Sequence, residues 1–264
     1  MTVSPNTILH TCDLSSDDTQ ALMHATLLAW RAGAKLVSVH AGDDASLSSK
    51  IPDANQIVKR WNADATVDHE RIVRSCCDDV IEGILVAVKE KQPNLVVAAT
   101  HTRSLWQRVL RSSVAEAVAD ETLLPTLFIP IGSCGALDEL RGRLNTTRIV
   151  IAAQDTPAVN AAAPWASWLA SHASETGEVV MLHAGVLEGL DDAIVPEIPG
   201  WSWRFEKIEP TVKIEDAIAE FVASPETILV MPTHNHDSLG DAIWGSTTER
   251  VLHQIKRPLL AVPY

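Results

Sequence analysis

The chain is poor in aromatic residues other than tryptophan, with one tyrosine and three phenylalanines among 264 residues. It is also poor in cysteine and in basic residues. The four cysteines, Cys12, Cys76, Cys77 and Cys134, match no zinc-ligand spacing, and adjacent cysteines such as Cys76 and Cys77 bridge only with strain. They read as free thiols of a reducing compartment, with a redox role for Cys76–Cys77 as the lesser reading. Lysine and arginine number 21 against 34 acidic residues, a formal charge of −13. That balance excludes general nucleic-acid binding, which needs a basic surface to displace counterions. No apolar run approaches the roughly 20 residues that span a bilayer. The N-terminal MTVSPNTILHTCD lacks the basic and apolar regions of a signal peptide, so a soluble, cytoplasmic chain without membrane partners is expected.

What the chain does have is a repeat. Leu95 to Pro130 returns 133 residues later, with Val97 matching Val230, Thr100-His101 matching Thr233-His234, and Ser113 and Glu116 matching Ser246 and Glu249. The front of each half repeats as well: Leu36 to Gly42 (LVSVHAG) corresponds to Val179 to Gly185 (VVMLHAG). A repeat of this length implies two copies of one domain. The expected division is 1–131 for the first domain, 132–146 for a polar linker, and 147–264 for the second.

Each half alternates short apolar runs with amphipathic segments. In the first half, strands are expected at 8–12, 35–40, 69–73, 95–100 and 126–130, and helices at 18–31, 78–91 and 113–121. In the second half, strands are expected at 148–153, 178–183, 202–208, 227–233 and 259–262, and helices at 158–170, 214–223 and 246–255. This order predicts an α/β fold of two tandem, doubly wound, parallel five-stranded sheets, Rossmann-like in character. Gly33 reads as a helix C-cap. The segments after Gly42 and Gly185 read as long surface loops.

Ligands of open parallel sheets gather beyond the carboxyl ends of the strands. There, Ser113-Val-Ala-Glu116 and Ser246-Thr-Thr-Glu249 read as capping boxes, in which serine and glutamate satisfy the helix's first amides. A helix N-terminus of this kind also suits an anion.

These residues resemble a tandem universal stress protein, and the resemblance covers both halves. Nucleotide-binding members of that family carry G-2x-G-9x-G-[ST] after the fourth strand. The corresponding residues here are Ala99, Thr102, Ser112 and Ser113, then Pro232, Asn235, Gly245 and Ser246. The spacing is kept and most of the glycines are lost. A missing Cβ lets backbone approach a phosphate closely, and proline removes a backbone donor as well. The family places an aspartate after the first strand, near adenosine. Asp13 fits that position, whereas the second half has Gln154 there and Asp155 one place later. The candidate nucleotide or anion positions are therefore Asp13, Thr100, Arg103, Ser112, Ser113, Thr233, Gly245 and Ser246, divided between the halves so that neither holds a complete set.

The resemblance implies an adenine-nucleotide-α-hydrolase-like fold whose halves pair within the chain through their fifth strands, as an intrachain pseudo-dimer. The function expected is a non-enzymatic stress-response or regulatory protein with degenerate nucleotide sites and no required cofactor. The alternative is an ATP-binding switch or weak ATPase using one surviving site. A carrier of small apolar molecules using the loop after Gly185 is a remote third reading, and further homodimerisation is left open.

Other features carry less. His40 and His183 are equivalent, as are His101 and His234, but none has a carboxylate or cysteine at ligand spacing. They read as hydrogen-bonded structural residues, and no metal site is expected. The chain contains no Walker A loop, dinucleotide loop or G-x-S-x-G elbow, and no catalytic residue is assigned. Trp201 and Trp203 read as packing residues.

Overall fold

The computed structural model describes residues 3–74, 79–100, 114–133, 136–184, 193–208, 213–234 and 246–264. The first half runs β1 (Thr7–Thr11), α1 (Thr19–Ala32), β2 (Lys35–Ala41), α2 (Ala54–Trp61), β3 (His69–Arg74), α3 (Val80–Lys91), β4 (Leu95–Thr100), α4 (Val114–Thr122) and β5 (Thr126–Pro130). A small hairpin follows, β6 (Leu137–Asp138) and β7 (Arg143–Leu144). The second half runs β8 (Arg148–Ala152), α5 (Thr156–Ser171), β9 (Gly177–Ala184), β10 (Trp201–Ile208), α6 (Ile214–Phe221), β11 (Thr227–Thr233), α7 (Ser246–Gln254) and β12 (Leu259–Pro263).

The two halves share one ten-stranded sheet, ordered β10-β9-β8-β11-β12-β5-β4-β1-β2-β3. All pairings in the main sheet are parallel except β5–β12, where Leu127 pairs with Leu260 and Phe128 with Leu259. Leu127 and Leu260 are equivalents in the repeat, so the internal pseudo-twofold passes between them. This pairing removes two sheet edges that would otherwise expose unpaired backbone.

Strand residues alternate between two apolar layers, as the period of two requires. Leu127, Leu260, Val97 and Val230 face the layer built with α1, α2 and α5. Phe128, Leu259, Ala98 and Leu229 face the layer that includes α4, α6 and α7. Both layers run across the seam, so the halves are fused through their cores as well as through the sheet. Gly33 caps α1 in the left-handed conformation, with its amide on the carbonyls of Ala29 and Trp30.

Two expectations need correction. The segment after Gly42 is not simply a loop: it contains α2, started by Asp53, whose Oδ1 accepts from the amide of Asn55 at 2.9 Å. Ala54, Ile57 and Val58 bury one face of this short helix. The linker is also structured. Ala136, Leu137 and Leu144 of the hairpin are buried, and the amide of Ala136 donates to His24 Nε2 at 3.1 Å. Gly142 sits at φ +58° where a Cβ would strike the Trp61 ring, which explains why glycine occupies this turn.

Candidate functional site

The antiparallel seam determines where a ligand site can lie. Within each half the strands are parallel, so the two sets of carboxyl ends point to opposite edges of the common sheet. Thr100 lies level with Pro130, and Thr233 level with Pro263. The β5–β12 register then separates those two ends by roughly 20 Å along the strands at about 3.3 Å per residue. Asp13, just past β1, therefore belongs to the first edge and cannot complete a site at the second.

At the first edge, Asp13 is exposed and its Oδ1 accepts from the Ser15 amide at 2.7 Å. Leu14, the residue between them, takes φ +63°, uncommon for a side chain of its bulk. Thr100 is buried, and its hydroxyl has no hydrogen-bond partner among the described residues. Arg103, Ser112 and Ser113 lie outside the described residues, as does His101.

At the second edge the described residues enclose a cavity of about 270 Å³ beyond the ends of β8, β9 and β11. Its apolar wall includes Ala152, Leu182, Ile208, Ile218, Met231 and Pro232. Thr233 lines it too, as do Thr247 and Thr248 from the first turn of α7. Ser246 begins α7, and Gly245 lies outside the described residues. Asp155 does not line this cavity: it is the N-cap of α5, with Oδ1 accepting from the Ala158 amide at 2.8 Å.

Gln154 takes the position where the first half has Asp13, and it points to a cluster. Its Nε2 contacts His234 Nε2, and the Tyr264 hydroxyl reaches the same nitrogen at 2.7 Å. Gln154, His234 and Tyr264 thus form one hydrogen-bonded cluster centred on the His234 ring nitrogen. The Tyr264 ring lies 4.4 Å from the His234 ring, and burial pushes its phenol above the usual range. Tyr264 was not singled out from sequence; its standing as the lone tyrosine, directly after β12, was the available signal. The resulting wall is hydrogen-bonding. None of the described residues lining the cavity is lysine or arginine.

The paired histidines behave as structural residues where described. His40 Nδ1 lies 2.8 Å from the Cys12 carbonyl, and His183 Nδ1 lies 3.0 Å from the Ala153 carbonyl. Cys12 and Ala153 are themselves equivalent, so the same hydrogen bond recurs in both halves. Cys12 is a free, buried thiol pushed up to about 12, chiefly by burial and secondly by the nearby Asp18 carboxylate. A thiol held protonated in this way is a poor nucleophile. Cys76, Cys77 and Cys134 lie outside the described residues. Trp201 and Trp203 are packing residues: their indole nitrogens donate to the carbonyls of Ser174 and Pro196 at 3.0 and 2.8 Å.

The comparisons with known proteins fit this architecture. Residues 5–130 match the model of the Universal stress protein family. The first half of the chain is similar to a universal stress protein domain. The second half repeats its fold, and the whole chain aligns with solved structures of tandem length. A universal stress protein from Archaeoglobus fulgidus matches with a TM-score of 0.64 at 16% identity, covering 98% of this chain and 96% of that one. A putative universal stress protein from Pseudomonas aeruginosa matches at 0.58 and 13% identity, over 98% and 94% of the two chains. A protein of unknown function from the same species matches at 0.57 and 14% identity, over 98% and 93%. Identities this low speak to fold alone. No curated protein matches the sequence. Among the described residues, no helix is long and apolar enough to cross a membrane.

Proposed function

We propose that this tandem universal stress protein is a non-enzymatic regulatory scaffold whose nucleotide sites have degenerated. The observation that carries this reading is the second-half cavity. At the place where family nucleotide binders need close backbone approach and charge, it presents Pro232, a Gln154–His234–Tyr264 cluster and, among the described residues lining it, no lysine or arginine. A triphosphate carried there would lose its hydration without a cation to replace it. In sequence, residues 235–245 after β11 contain Asp237, Asp241 and His236 and no lysine or arginine. The hydroxyl paired with an imidazole there is that of Tyr264, whose phenol burial holds above the usual range, which favours a binding or scaffolding role over nucleophilic catalysis.

The alternative reading, ATP binding by one surviving site, suits the first half better than the second. Asp13 sits at the correct edge with one carboxylate oxygen already oriented, and the loop after β4 contains Arg103, Arg108 and Arg111. Calorimetric titration of the full chain with Mg-ATP separates the two. The scaffold reading predicts no saturable heat up to millimolar nucleotide. Micromolar binding that is lost in Asp13→Ala would sink it in favour of a first-half site, and loss in Ser246→Ala would place the site in the second half.

A further inference from the structure

We propose that the seam between the two halves binds one divalent transition-metal ion through Glu116, Glu249 and His253. The repeat and the fold bring these residues together. Glu116 and Glu249 are equivalents, each in the first turn of its helix, and Glu249 and His253 lie four residues apart on one side of α7. The β5–β12 register sets α4 and α7 about the pseudo-twofold on the same face of the sheet, where Ala115 and Ala119 share an apolar layer with Val251 and Leu252.

The geometry is that of a first coordination shell. His253 Nε2 lies 3.7 Å from Glu116 Oε1 and 3.7 Å from Glu249 Oε1, and all three donor atoms lie within 4.8 Å of one another. Those two gaps exceed hydrogen-bonding reach. Two donors on a tetrahedral zinc ion, each at about 2.1 Å, stand about 3.4 Å apart. The observed 3.7 Å needs only a modest opening of the ligand–metal–ligand angle, and the carboxylate pair has to close by at most roughly 1.4 Å to reach the same spacing. The Glu116 side chain is 6% exposed and that of His253 12%, whereas Glu249 is 30% exposed. The site is therefore desolvated on two sides and open on the third, which gives an ion an entry path and room for a water as fourth ligand. The donor set of two carboxylates and one imidazole suits zinc and its first-row neighbours better than magnesium.

A second cluster makes the contrast. His10, Cys12 and Asp18 also converge, and all are buried. Hydrogen bonds close that cluster, and their direction is determined. The Ala54 amide donates to His69 Nδ1 at 3.1 Å, so His69 Nε2 donates to Ser38 Oγ at 2.9 Å. The Ser38 hydroxyl then donates to His10 Nδ1 at 3.3 Å, and His10 Nε2 donates to Asp18 Oδ1 at 3.1 Å. A proton already stands where a metal would have to bind. At the seam, the contacts of His253 Nε2 with the two glutamates, at 3.7 Å, are too long for hydrogen bonds.

Metal-free full-length protein titrated with Zn²⁺ by calorimetry, and with Co²⁺ in the visible spectrum, tests the site. The expected result is one ion per chain, with cobalt d–d bands of low-symmetry coordination. Both Glu249→Gln and His253→Gln should weaken binding at least ~10-fold. Absence of saturable Zn²⁺ binding by the unmodified chain overturns the proposal, whatever the variants do. Binding that survives in both folded variants overturns it equally, by placing the ion elsewhere.

Discussion

The most quantitative consequence of this fold concerns His24, a fully buried histidine of α1. Its Nδ1 donates to the Gln20 carbonyl at 2.7 Å, and its Nε2 accepts from the Ala136 amide at 3.1 Å. Both ring nitrogens are thus satisfied only in the neutral state. Burial depresses its pKa from 6.5 to about 4, outweighing the Gln20 hydrogen bond and the charge of Glu139, which act the other way. The unfolded chain therefore takes up a proton near pH 6.5 that the folded chain refuses until about pH 4. Stability from this residue is fully present above pH 6.5 and is lost as pH falls through that window, to a total of about 3 kcal/mol at about 1.4 kcal/mol per unit. At pH 5 the unfolded histidine is almost fully protonated and the folded one almost not at all. The linkage slope from His24 alone is then roughly 1 kcal/mol per pH unit. Urea unfolding of the wild type and of His24→Gln, measured between pH 4.5 and 7, isolates this slope. Glutamine keeps a donor and an acceptor but does not titrate. The variant's stability should fall less steeply with acid by that amount, and equal slopes would refute the assignment.

Other consequences follow from the same structure. Phe128→Ala removes a fully buried ring at the seam and should cost about 3–5 kcal/mol. Because the layer it belongs to draws on both halves, calorimetry should show one transition lowered by on the order of 10 °C; two separated transitions would contradict a fused core. Asp155→Ala removes the α5 N-cap and should destabilise by about 1 kcal/mol without altering any ligand response, read by denaturant midpoint. The paired replacement Pro232→Gly with Asn235→Gly restores two lost glycines. On the degenerate-site account it still leaves the second half unable to bind Mg-ATP tightly, because no cation is gained; strong binding by this variant would show that backbone approach alone was limiting.

Much of this architecture is legible in the sequence because local and global signals agree. The 133-residue repeat with its prolines places β4, β5, β11 and β12 to within a residue, and Gly33 announces the end of α1. Helix α2 escapes notice because its eight residues, between Pro52 and Asn62, show barely two turns of periodicity, although Asp53 followed by Ala54, Ile57 and Val58 is a cap and a face. The linker hairpin escapes because its order comes from contacts made by distant residues, His24 and Trp61. Among the candidate site residues, Asp13, Thr100 and Thr233 stand at strand ends as the topology predicts. Their division between opposite edges follows from the antiparallel seam, which strand order alone does not give. The Glu116–Glu249–His253 cluster is hidden for the same reason: read locally, the two glutamates are helix caps, and only the Leu127–Leu260 register brings them together.

The account rests on the claim that the second-half cavity has lost its nucleotide. Crystals of the full chain grown with excess Mg-ATP test it most directly. The prediction is that no nucleotide density stands beside Pro232, His234 and Tyr264, with the Tyr264–His234 hydrogen bond kept. Adenosine density filling that cavity, with Tyr264 displaced from His234, would contradict it.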